Sequence, residues 1–357
     1  MAAVGVPNAA AAVAAGQASV VHLTKVFVPK MVMGGGERGE ATAQGKGQEV
    51  YMVRFSPDGQ LVAASMGDGS IKVYSAMSGK LAYHLNQNKG EIIPTMCVRF
   101  RPNSAGSTRN VLIAGTASGL IQHWHVTSGK NLGEILEEDN RVYALDYSPD
   151  GTKFASGGND ATVRVYDEAT RKCVVNLHGG SGKSDATGHS NRVFSVKFAQ
   201  DHPNVLLTGG WDDTVLVWDV RQELPVRVIF GPHICGDAID TKGDLVLTGA
   251  WRPDNPVQMW DLGSTELLYD VPFPTNPGEP CLVYTAQFSK DKAASRIIAG
   301  GSGTNEARIY ERESQIPTVI GSIKGMQKGV FSTDFHPGMN QVAVGSGDGT
   351  VRIIEYP

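Results

Sequence analysis

Short apolar runs recur along this chain at a spacing of roughly forty to fifty residues, the span of one four-stranded repeat. The pattern is clearest from Gly188 to Asp219, GHSNRVFSVKFAQDHPNVLLTGGWDDTVLVWD. Val193 to Phe198 alternates, Val205 to Thr208 is nearly all apolar, and Val215 to Trp218 is β-branched and aromatic. Runs this short, bounded by Asp, Asn, Gly and Pro, predict strands. Two independent series keep the same period. Phe55, Phe100, Tyr147, Phe198, Phe288 and Phe335 mark the end of each first run, with Ile239 taken as the mark of the remaining unit. Tyr74, Trp124, Tyr166, Trp218, Trp260 and Tyr310 mark the third run, with Ile354 as the last. Ser56-Pro57-Asp58-Gly59 and Ser148-Pro149-Asp150-Gly151 supply tight turns between first and second runs.

A unit opened by Gly-His and closed by Trp-Asp resembles the WD-repeat family, and the resemblance spans residues 19–357. It implies an all-β fold, a seven-bladed WD-repeat β-propeller of antiparallel four-stranded sheets. The blades begin near residues 49, 94, 141, 189, 233, 281 and 329 within 49–357. The seventh unit ends at Pro357, directly after its third run, and an open ring would leave bare sheet edges. The isolated run SVVHLTKVFVP offers the missing piece. Residues 19–30 are therefore expected to close the ring as the outer strand of the last blade, with 20–28 as the strand itself. Residues 1–18 read as a disordered Ala/Gly-rich tail and 31–48 as a flexible Gly-rich linker.

The resemblance also implies a hydrogen-bonded tetrad in each blade: a His before the first strand, Ser or Thr on the second, Asp in the next turn, Trp on the third. It is complete only as His189, Thr208, Asp212 and Trp218. Asp68, Asp160 and Asp348 hold the turn position without the Gly-His, and Ser118 replaces the Asp in the second unit. Blade four is expected to be the most rigid, because a buried polar network stabilises only when its members are satisfied.

The tetrad already explains the recurring Ser, His and Asp, so no catalytic residue is expected. Gly180 to Ser184 ends like a phosphate-binding loop, but Leu177 stands where that loop needs Gly, and a strand follows instead of a helix. His123 and His125 share a strand face without the further ligands that zinc needs. No cofactor or metal is expected. The four cysteines, Cys97, Cys173, Cys235 and Cys281, are scattered and read as reduced thiols of an intracellular protein. A net charge of −4 offers no global field for nucleic acid, and no apolar run is long enough to span a membrane.

Surface loops carry the remaining information. Loops that lead into first strands, and loops between second and third strands, gather on one face. Insertions fall there: His178–Ser190, Trp251–Asn255, Pro272–Pro280 and Gly303–Asn305. Trp211, Trp251 and Arg252 are the expected protein contacts, since exposed Trp and Arg are enriched at binding hot spots. The alternative is that both rings lie down and only seal the ring. Arg101–Asn110 projects from the opposite face. The expectation is a non-enzymatic interaction scaffold, cytoplasmic, whose partners are proteins or peptides of a larger assembly. A ciliary or microtubule-associated component is one alternative, and a propeller enzyme with a central-channel site another.

Overall fold

The computed structural model describes residues 25–26, 29–33, 49–86, 92–103, 108–178, 188–274, 278–312 and 316–357. Among these the chain is all strand and turn, apart from the 3-10 turn Val126–Ser128. The strands group into seven sheets. Their innermost strands are Val50–Phe55, Thr95–Phe100, Val142–Tyr147, Val193–Phe198, Ile239–Lys242, Leu282–Phe288 and Val330–Phe335. Each packs on the next, and Val330–Phe335 returns to Val50–Phe55, so the sheets close into a seven-bladed β-propeller.

Apolar residues between neighbouring blades make the core, and the aromatic marks Phe55, Phe100, Tyr147, Phe198, Phe288 and Phe335 are all buried. Blades also interlock through glycines on their second strands. A Cβ on Gly157 would stand 2.7 Å from Val193 Cγ1, and one on Gly345 would stand 2.8 Å from Val50 Cγ1. Only a residue without a side chain admits the next blade's valine at that distance. The second of these contacts joins the last blade to the first.

Blade five departs from the expected register. Its strand pairs Ile239 with Thr248, Asp240 with Leu247 and Thr241 with Val246. In blade four the matching pairs are Val196 with Thr208, Lys197 with Leu207 and Phe198 with Leu206. Ile239 therefore does not hold the aromatic position; buried Thr241 does. An apolar residue had looked the natural substitute, but Ile239 instead fills the core position two places earlier.

An N-terminal strand does close the ring, although it is not the expected one. Pro29–Met33 pairs antiparallel with Val351–Glu355, matching Pro29 to Ile354 and Met33 to Val351. This corrects both 19–30 as closing strand and 31–48 as linker, since Met31–Met33 belongs to the sheet. Lys25–Val26 runs parallel to Thr318–Ile323, the outer strand of blade six. β-Branched content pointed to the wrong residues because an edge asks only for backbone donors and acceptors, which any sequence can give. Proline is tolerated here because it opens the strand. The tail 1–18 lies outside the described residues, as do 19–24, 27–28 and 34–48.

Two truncations test the closure. Removing residues 1–28 should cost only a few degrees in melting temperature, whereas removing 1–33 should lower it by about 10 °C or more, several kcal/mol at this size. Equal melting of the two truncated chains would refute this assignment.

Candidate partner-binding face

Six innermost strands share one irregularity at their first turn. Register shifts fall between Val50 and Met52, Thr95 and Cys97, Val142 and Ala144, Val193 and Ser195, Val283 and Thr285, and Val330 and Ser332. Each leaves one residue unpaired: Tyr51, Met96, Tyr143, Phe194, Tyr284 and Phe331. A β-bulge of this kind re-aims the extra side chain. Here the extra side chains form an apolar collar around the mouth of the central channel, above a cup of about 220 Å³. Tyr143 stacks on Phe194 at 4.7 Å, and Tyr284 meets Phe331 edge-on at 5.3 Å. Blade five supplies Gly236 instead, so the collar has a notch there. A Cβ on Gly236 would lie 2.4 Å from Tyr284 O, so the notch cannot be filled without displacing backbone.

The expected contact residues lie beside that notch. Phe194 packs on Trp211 at 5.2 Å, Trp211 stacks with His233 at 6.1 Å, and His233 meets Trp251 at 6.3 Å. The Arg192 guanidinium lies 4.9 Å over the Trp211 ring. Trp211 Nε1 donates to Cys235 Sγ at 2.8 Å. Burial pushes that thiol up to about 11, so the sulfur is a neutral acceptor at neutral pH. The two tryptophans keep 37% and 40% of their surface exposed. They are thus held in place and half-exposed at once. Arg252 does not reach outward: it donates to Asn255 O at 2.9 Å and to Gly231 O at 3.3 Å, and so ties its loop to the end of blade four.

Beneath this row the tetrad is complete. His189 Nε2 and Thr208 Oγ1 lie 2.7 Å apart, His189 Nδ1 and Asp212 Oδ2 2.8 Å, and Trp218 Nε1 donates to Thr208 Oγ1 at 2.7 Å. Burial works against the Asp212 charge. The bond and charge of His189, with bonds from Thr214 and Ser190, outweigh it and hold the carboxyl below its ordinary value. Blade three builds a different network on Glu137. That buried carboxylate accepts from Ser156 Oγ, from Tyr166 OH at 2.7 Å and from Asn140 Nδ2 at 2.6 Å. Blade five keeps one bond, Trp260 Nε1 to Thr248 Oγ1 at 2.9 Å.

Comparison with known proteins bears directly on this arrangement. The family described as "WD domain, G-beta repeat" matches residues 129–167, 182–219 and 317–355, and "Anaphase-promoting complex subunit 4 WD40 domain" matches 17–103. The chain belongs to the WD-repeat family. WD repeat-containing protein slp1 of Schizosaccharomyces pombe is 24% identical over 266 residues, 73% of this chain and 50% of that protein. Pre-mRNA-processing factor 17 of Saccharomyces cerevisiae is 24% identical over 65% of this chain and 49% of its own length. The chain thus spans half or less of these WD-repeat relatives. A chain in a solved structure, "Crystal Structure of Mitotic Checkpoint Complex", superposes with TM-score 0.74 at 17% identity, covering 99% of this chain and 97% of that one, which shows the same fold.

In this WD-repeat ring the residue before each aromatic mark faces the channel. The series runs Arg54, Arg99, Asp146, Lys197, Asp240, Gln287 and Asp334. Lys197 pairs with Asp240 at 3.0 Å, Arg99 with Asp146 at 3.2 Å, and Lys290 with Asp334 at 2.8 Å. Three of these aspartates also staple neighbouring blades. Asp146 accepts from Phe198 N at 2.8 Å, Asp240 from Phe288 N at 2.9 Å, and Asp334 from Phe55 N at 2.7 Å. Asp237 of blade five crosses the axis to bind both Arg54 and Arg99, the latter at 2.6 Å, and also accepts from Gln287 at 3.1 Å.

Reading the residues alone placed Trp211 and Trp251 on this face and assembled the tetrad, but passed over the collar and Asp237. Tyr, Met or Phe does recur near the start of six first strands, but the bulges that turn these residues into a collar are a matter of pairing that composition does not show. Asp237 was hidden by the misplaced Ile239. The phosphate-loop-like stretch 179–187 lies outside the described residues. His123 is buried, 3.3 Å from Glu168, while half-buried His125 meets Ser128 at 2.6 Å, so the two do not converge. Cys97 and Cys281 are buried, and Cys173 is exposed.

Replacing Asp237 by Ala should destabilise the chain by about 3–5 kcal/mol, because two guanidiniums stay buried without their shared anion. Adding Arg54→Leu should recover part of that loss in urea unfolding; a fully additive double variant would contradict the shared role. A pH series tests the tetrad. A depressed carboxyl stabilises fully above its unfolded value near ~4 and loses that contribution as pH falls through its folded value. The stability gap between the natural chain and Asp212→Asn should therefore be constant above about pH 5 and shrink on further acidification. A gap independent of pH would argue against a charged Asp212.

Proposed function

We propose that this chain is a non-enzymatic interaction platform in a multiprotein assembly, docking segments of other proteins on the face that carries the collar and the tryptophan row. The observation behind this is the row itself. Five rings from Tyr143 to Trp251 touch in sequence and stay partly open to solvent. Rigid, half-exposed Trp flanked by Arg is the composition of binding hot spots, where aromatic surface is offered at little entropic cost. A ring of interlocked blades supplies a scaffold that does not need to move. In support of a non-enzymatic role, the charged side chains that line the channel cavity of about 420 Å³ are taken up in ion pairs with one another. The free thiols fit a reducing compartment inside the cell. No residue speaks for a ciliary or microtubule placement, and that finer location is not carried further.

Affinity capture with the full chain, compared with Trp211→Ala/Trp251→Ala, tests the platform. Hot-spot truncations cost about 2 kcal/mol each, roughly 30-fold in affinity. The double variant should melt within a few degrees of the natural chain and lose most captured proteins. Recovery of the same proteins in the same amounts would move the docking surface elsewhere.

A further inference from the structure

The platform assigned above leaves the chemistry of its partner open, and the following rests on that assignment. We infer that the collar and the tryptophan row together form one radial groove that receives an extended acidic peptide segment, with one large apolar side chain seated in the cup. Continuity is the first ground. Phe194 belongs to the cup and also packs on Trp211, so cup and row share a wall through the Gly236 notch. The row then runs outward to Trp251. Arg252 bonds the carbonyl of Gly231, and next to it Phe230 stands 74% exposed at the rim. Aromatic surface therefore leads from Trp251 to the axis, with Arg252 between it and exposed Phe230.

Size and charge decide the occupant. At about 220 Å³ the cup is smaller than the roughly 300–1,000 Å³ of cofactor and small-molecule sites, so it suits a side chain. An aromatic cup over a free carboxylate would favour a cation. Here the carboxylate at its base, Asp237, is already held by Arg54, Arg99 and Gln287, so an incoming ammonium would face guanidiniums. Along the row, Arg192 has no carboxylate within ion-pair distance among the described residues, while Arg252 spends its guanidinium on Asn255 O and Gly231 O. The neighbouring Asp213 is taken by His233 at 2.6 Å, and Asp254 in the outer loop is the exposed acid left over. The Arg192 guanidinium, 4.9 Å over the Trp211 ring, makes no side-chain hydrogen bond or ion pair among the described residues, and a free guanidinium can take a carboxylate with two hydrogen bonds. A single-stranded nucleic acid would also stack on such rings. It needs a basic groove that tracks its backbone, and two arginines beside exposed acids do not make one.

Selection of random 12-residue displayed peptides on the full chain tests this, followed by fluorescence-anisotropy titration of the enriched peptide. The expected consensus is one aromatic or long aliphatic residue flanked by Asp or Glu. Its affinity should fall tenfold or more when the anchor is changed to Ala, when the flanking acids are changed to Lys, or in the Arg192→Ala chain. Added salt should weaken it further. A neutral or basic consensus, no enrichment, or affinity indifferent to Arg192 would overturn the inference. So would a labelled 12-mer of uridylate that bound at Trp211 more tightly than any peptide. The two failures separate cleanly. If the tryptophan variant loses its captured proteins but selected peptides are not acidic, the platform stands and this partner chemistry falls. If acidic peptides are selected and the captured proteins are unchanged, the groove stands and the platform lies on another surface.

Discussion

Asp237 resolves a conflict that an odd ring cannot avoid. When charges alternate around the axis, every carboxylate has a cationic neighbour and can staple the next blade. Asp146, Lys197 and Asp240 follow that rule, and Lys290 supplies the cation beside Asp334 in place of Gln287. Seven positions cannot alternate to the end, and the mismatch falls at blades one and two, where Arg54 and Arg99 are neighbours. Buried like charges are costly unless an anion is shared between them. The anion comes from across the ring, from the one blade whose inner strand starts late enough to place an extra carboxylate at the axis. The irregularity of blade five and the stability of the seam between blades one and two are thus one device.

The same irregularity opens the collar. Where the other blades begin with a bulge and an apolar side chain, blade five begins with Cys235-Gly236-Asp237. Its glycine leaves the notch, its aspartate locks the charges, and its cysteine accepts the Trp211 N–H. Three consecutive residues therefore connect the closure of the ring to the shape of its exposed face. A change that repaired the regularity of blade five would remove all three at once.

Much of this architecture was legible in the residues because a repeat states each rule several times. The aromatic marks, the turns and the His189–Thr208–Asp212–Trp218 tetrad were all readable, and the geometry follows them. What escaped were features that break a pattern or need no side chain to specify them. Bulged residues at Tyr51, Tyr143 and Phe194 look like ordinary members of an alternating strand, since an extra residue is a matter of pairing and not of composition. The register of blade five was lost because Thr241 replaces an aromatic, and apolarity was the wrong criterion there. The closing strand was misplaced by a few residues because edge pairing is a backbone property.

The distribution of buried polar networks bears on where the ring is stiffest. In the second strands, the position facing the tetrad carries Ser156, Thr208 and Thr248 in blades three, four and five, but Ala64, Ala114, Ala299 and Val344 in the others. Each of the three hydroxyls is engaged, by Glu137, by His189 and Trp218, and by Trp260. Satisfied buried networks rigidify what surrounds them, whereas Ala and Val contribute packing without directional restraint. Blades three to five are the ones that carry Tyr143, Phe194, Trp211, His233 and Trp251. The sector with directional hydrogen bonds beneath it is therefore the sector with the aromatic row above it. Binding there would cost little ordering of side chains, because the bonds that fix the supporting strands are already made in the free protein.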